Sequence, residues 1–143
     1  MTGDVSSQRE AGTATIGFLA AALAGAIALG LVVVTATVLL VDLLKASNHP
    51  DNLTLRLYLL FGGTLAGILV AAGAAWRLLQ PIPSLYRRGG LAMVSGFATV
   101  LLMLVCIPIH QMFGQAGLLM ILASSGIAAA LLAVRSRRLA RNP

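Results

Sequence analysis

The chain has 143 residues, of which 59% are hydrophobic and only 10% charged, with a formal net charge of +6. A soluble domain of this size carries about a quarter charged residues, so the composition excludes an ordinary soluble globular fold. Ten Lys and Arg against four acids do not point to nucleic acid. The cations flank apolar stretches instead of gathering on one surface, as membrane loops require.

Four apolar stretches dominate, at about 11–41, 57–76, 89–109 and 116–134, none with an acid or base in its interior. A hydrocarbon core of roughly 30 Å needs about 20 such residues per spanning helix. The expected fold is therefore all-α, a polytopic membrane protein built as a four-transmembrane-helix bundle. Helices satisfy their backbone groups internally, as a bilayer demands. Continuous apolar runs speak against a β-barrel, whose strands alternate. The expected division is an N-terminal tail at 1–10, a transmembrane domain at 11–135 and a basic C-terminal tail at 136–143.

The first stretch is about twice the length of a signal-peptide apolar region, so it is expected to remain as a span. Its 31 residues correspond to about 46 Å of helix, more than a bilayer core, so one end is expected to project or lie along the interface. Two rows of small residues run along it, Gly17-Ala21-Gly25 and Ala22-Ala26-Gly30. Asp42, beside Lys45 at its far end, reads as a solvated end charge. The turn cluster Ser47-Asn48-His49-Pro50-Asp51-Asn52 follows, with Asp51 or Asn52 expected to cap the next helix.

The second stretch carries the sharpest packing signature, Gly63-xxx-Gly67-xxx-Ala71-xxx-Ala75. Residues four apart share a face, and small ones allow close backbone approach. Such faces either serve this bundle or receive a second chain. The connection Gln80-Pro81-Ile82-Pro83-Ser84-Leu85-Tyr86-Arg87-Arg88 contains two prolines that stop the helix. It places Trp76-Arg77 and Tyr86-Arg87 at headgroup level as aromatic-cation pairs.

The third stretch ends in Cys106, Pro108 and His110. A lone cysteine permits no intrachain disulfide. His110 is the weak candidate for a haem or metal ligand or a proton relay, with His49 as its only possible histidine partner. No metal-ligand spacing is present, so no cofactor and no metal are expected. His110 to Gln115 reads as a short connection forcing adjacent antiparallel helices. The hydroxyls of Thr35, Thr37, Thr64, Ser95, Thr99, Ser124 and Ser125 are expected to bond to carbonyls of their own helices.

Arg9, Arg77, Arg87, Arg88, Arg135, Arg137, Arg138 and Arg141 fall on one side of the alternating spans, and only Lys45 and Arg56 on the other. This bias predicts both termini in the cytoplasm. Arg77, Arg87, Arg88, Arg135, Arg137 and Arg138 are the expected contacts for anionic headgroups, at about 1 kcal/mol each near the surface.

Without a nucleophile-base pair, paired carboxylates, a phosphate-binding loop or a thiol pair, the chain is not expected to be an enzyme. The leading expectation is an accessory or assembly subunit of a larger complex, acting through helix packing at Gly63, Gly67, Ala71, Gly17, Ala21 and Gly25. Its partners would be anionic lipids and other integral membrane subunits, or a second copy. A homo-oligomeric channel or transporter is the alternative, and a redox subunit binding haem or quinone near His110 a lesser one. The Ala-, Gly- and Arg-rich composition suits a bacterial inner membrane.

Overall fold

A computed structural model describes the backbone of residues 3–46 and 52–141 and the side chains of 15–45 and 53–138. The described residues form three long helices, α1 (Gly3–Ala46), α2 (Asn52–Leu78) and α3 (Leu85–Arg141). Each includes a segment long and apolar enough to cross a membrane. All three outrun the apolar stretches that nucleate them. Glu, Gln, Arg, Leu and Ala are good helix formers, so helix continues through residues 3–10 and 135–141 after hydropathy has fallen. Asp51 and the side chain of Asn52, the expected caps of α2, lie outside the described residues.

The sequence expectation differs most from the structure at His110 to Gln115. No loop of several residues separates the third and fourth stretches, and helix continues on both sides of a single non-helical residue, Gly114, at φ 61° and ψ −146°. That conformation is essentially confined to glycine. One residue there turns the chain sharply. A Cβ placed on Gly117 would lie 2.8 Å from Ile109 Cγ2 and 3.1 Å from the Ile109 carbonyl oxygen. Eight residues along an unbroken helix span about 12 Å. The limb after Gly114 therefore begins folded back against the limb before it.

α1 packs against both other helices. Its contact with α2 centres on Gly30 and Gly67. A Cβ on Gly30 would meet the Gly67 carbonyl oxygen at 2.8 Å, and one on Gly67 would meet the Gly30 carbonyl oxygen at 3.0 Å. The two backbones touch there. Without a hydrophobic drive between helices in lipid, such close packing is what holds spans together. Ala71 and Thr99 also abut Gly30, so the first limb of α3 closes the seam from a third side.

Toward the other end, Ala22, Ala26, Ala75, Leu79 and Ala92 form a buried apolar cluster. A tight turn lies just beyond it. Leu79 N–H donates to the Ala75 carbonyl at 2.9 Å and Ile82 N–H to that of Leu79 at 3.0 Å. Ser84 then caps α3, its hydroxyl accepting from Arg87 N–H at 3.4 Å. In the second limb, Leu118, Leu122, Ser125, Ala129, Leu132 and Ser136 are buried or half-buried. Their alternating spacing of four and three is the stripe of a helix lying along a neighbour.

Candidate functional site

The polar chemistry of the described bundle collects at its two ends. At the end bearing the bend of α3, Asp42 sits near the last turn of α1 with its side chain only 17% exposed. One carboxylate oxygen, Oδ1, accepts from Lys45 Nζ at 3.1 Å. The other, Oδ2, lies 3.3 Å from His110 Nε2 on α3, whose side chain is 25% exposed. From α2, Arg56 Nη2 donates to the Leu44 carbonyl at 3.1 Å, close to the α1 C-terminus. A cation there complements the partial negative charge of the helix end.

This constellation corrects one reading of the sequence. Asp42 is not simply a solvated end charge, because α3 covers it and supplies a second partner. A carboxylate offers only acceptors, so the imidazole nitrogen facing it must carry a hydrogen. His110 Nδ1 and Arg56 Nε are both buried without a hydrogen-bond partner. His49 lies outside the described residues. Among the described residues, no three His, Cys, Asp or Glu side chains come together as a metal site. Cys106, one helical turn before His110, is buried and free.

At the opposite end Trp76 is stacked by a cation from the first turn of α3 and not by its neighbour in sequence. Arg88, not Arg77, stacks on Trp76, its guanidinium carbon 4.3 Å from the ring centroid. Arg88 Nη2 also donates to the Trp76 carbonyl at 3.2 Å, fastening the start of α3 to the end of α2. Arg77 and Arg87 are exposed nearby in sequence, as are Arg135, Arg137 and Arg138 in the last turns of α3. The side chains of Arg9 and Arg141 lie outside the described residues.

The small-residue rows are largely occupied within the chain. A Cβ on Gly63 would overlap the Thr37 side chain, and Ala71 and Ala75 are fully buried. On α1 the more deeply buried row is Ala22, Ala26 and Gly30. Gly17, Ala21 and Gly25 are half-buried. Between the ends, six of the seven expected hydroxyls bond backbone carbonyls. Thr37 donates to Val33, Thr64 to Leu60, Thr99 to Ser95, Ser124 to Ile121 and Ser125 to Leu122. Ser95 donates to Ala92 at 2.7 Å and also approaches the Ala71 carbonyl of α2 at 3.3 Å.

An all-α chain with three helices of this length and apolarity fits an integral membrane protein. Comparison with family models, curated proteins and solved structures finds no match to this chain.

Proposed function

We propose that the chain crosses the membrane four times, with both termini on the arginine-rich cytoplasmic side. In this reading it serves as a non-catalytic accessory or assembly subunit of a larger bacterial inner-membrane complex. The bend at Gly114 supports the fourth crossing. As one straight rod, the 57 residues of α3 would reach about 85 Å, nearly three bilayer cores. The pairing of Asp42 with His110 at one end and Trp76 with Arg88 at the other fits helices that alternate in direction.

The observation that carries the functional reading is the closed seam at Gly30 and Gly67. With backbones in contact there and the neighbouring hydroxyls bonded to carbonyls, the centre of one protomer offers solutes no polar path. What remains for other molecules is the outer surface, where Phe61, Leu65, Phe97, Leu104, Ile127 and Leu131 are exposed. Anionic headgroups would meet Arg77, Arg87 and Arg135 at the cytoplasmic boundary.

Extraction of native membranes in mild detergent, followed by a native gel and mass spectrometry, tests this. The chain is expected to migrate with larger integral subunits. A band holding only this chain would refute the accessory role. It would favour the homo-oligomeric channel, with its path between protomers, and flux into liposomes would follow from the protein alone.

A further inference from the structure

We infer that the arginines of the α2–α3 turn and those near the end of α3 are two halves of one site for an anionic lipid carrying two phosphates. The inference rests on the four-crossing reading, which brings both groups to one membrane face. The turn supplies the first half. Arg88 is committed to Trp76, by stacking and by its bond to the Trp76 carbonyl, and a Cβ on Gly89 would also lie 3.9 Å from that ring. This clamp holds the end of α2 against the start of α3. Arg77 and Arg87, the chain neighbours of the clamped pair, are thereby kept at one rim with their side chains exposed. Tyr86, exposed beside them, suits the headgroup level.

Helix length supplies the second half. Arg87 and Arg88 precede Gly114 by 27 and 26 residues, about 40 Å of helix. Arg135, Arg137 and Arg138 follow it by 21, 23 and 24 residues, about 32–36 Å. A limb folded back at Gly114 returns its cations to within roughly two turns of the rim. The half-buried stripe of this limb continues to Ser136, so it is still packed on a neighbour at that level. Packed helices stand about 8–10 Å apart, and each arginine side chain shortens the remaining gap.

Charge complementarity names the occupant. Asp42, the only acid among the described side chains, lies at the opposite end and is held by Lys45 and His110. Leu19 of α1 and Ile82 of the turn pack on the same buried cluster. Glu10 and Asp4 precede Leu19 by nine and 15 residues, at least about 13 Å further along the helix. The five exposed arginines therefore meet no described carboxylate. Basic groups between spans on the cytoplasmic side are the chemistry that holds headgroups with more than one phosphate. A single-phosphate lipid engages either half alone. A two-phosphate lipid engages both, and its second contact forms at the high effective concentration of a tethered group. Bound, it ties the second limb of α3 to the α2–α3 turn.

Native mass spectrometry of the delipidated full-length protein compares diphosphatidylglycerol with phosphatidylglycerol at matched phosphate. The former should bind about tenfold more tightly. Removing one half, Arg77→Gln with Arg87→Gln, should bring the ratio near one. Removing the other, Arg135→Gln with Arg137→Gln and Arg138→Gln, should do the same, and removing both should lower it no further. Equal binding of the two lipids by the wild-type protein overturns the site, and that comparison needs no variant. A preference that survives loss of either half also overturns it, leaving the arginines to unspecific headgroup contact. Sidedness separates this from a failure of the four-crossing reading. In a Cys106→Ala background, Ser84→Cys and Ser136→Cys should each react with an impermeant maleimide from one and the same face of oriented membrane vesicles. Labelling from opposite faces overturns the topology and the site together; labelling from one face without lipid preference overturns the site alone.

Discussion

Gly67→Ala gives the sharpest test of the packing, because Gly73 supplies a control on the same helix. A Cβ at position 67 would lie 2.6 Å from Val34 Cγ2 and 3.0 Å from the Gly30 carbonyl oxygen. Carbon atoms in contact prefer about 3.5–4.0 Å, so α1 and α2 must part by roughly 1 Å at their closest point. Overpacking of this kind costs about 1–3 kcal/mol. The helix-propensity gain of Ala over Gly, about 1 kcal/mol, partly offsets it. At position 73 a new Cβ meets nothing within 4 Å, so only the gain remains. Gly73→Ala should therefore be neutral or stabilising, and the two variants should differ by about 1–3 kcal/mol. Reversible unfolding of the purified protein in mixed detergent and dodecyl sulfate micelles measures the difference. Val34→Ala in the Gly67→Ala background should recover part of the loss by removing one of the two clashing groups. Equal stability of Gly67→Ala and Gly73→Ala would refute the α1–α2 seam described above.

Two further outcomes follow from single residues. Gly114→Ala should destabilise by about 1–3 kcal/mol in the same titration, through its backbone conformation, since the surrounding space is open; a neutral result would mean that the bend does not need that conformation. Arg88→Gln should leave Trp76, the only tryptophan, more accessible to acrylamide, with a loss of about 0.5–1 kcal/mol from the stacked cation; unchanged quenching would dissociate the two side chains.

Much of the architecture was legible in hydropathy and small-residue spacing, and the rest depends on helix register. The row from Gly63 to Ala75 announces a close-packing face, but its spacing cannot say whether the face meets its own chain. What it meets, Gly30 with Val34 and Thr37, is set by the rotation of α1, which carries two competing rows of small residues. The partner of Trp76 is Arg88, eleven positions beyond the expected Arg77, for a similar reason. Neighbours in sequence point to different sides of a helix, whereas Arg88 reaches Trp76 across a turn. Gly114 attracted no notice among 15 glycines, because positive φ leaves no trace in composition. Asp42 and His110 were each noticed, and both were expected at one end of the bundle. Their pairing was missed because nothing in the sequence relates helix depths across 68 positions. A signal did exist. Asp42 and Glu10 are the acids adjoining a span, and His110 is the one histidine outside the first connection.

The distribution of forces also ranks the joints of the molecule. Hydrogen bonds between helices in a membrane average only about 0.6 kcal/mol, because the separated helices find other partners. The Ser95 contact to the Ala71 carbonyl and that of Thr64 with Met103 sulfur are therefore minor ties between α2 and α3. Tight packing around Gly30, Gly67 and Thr99 contributes more, and it joins α1, α2 and the first limb of α3. The second limb has no backbone-level seam of that kind described beyond Gly117, only a half-buried stripe and largely exposed outer positions. It is the least firmly held part of the described bundle. The Asp42–His110 pair lies on the first limb, just before the joint from which the second departs. A small change in its strength is thus placed where it can alter the pose of the helix with the least packing of its own to resist.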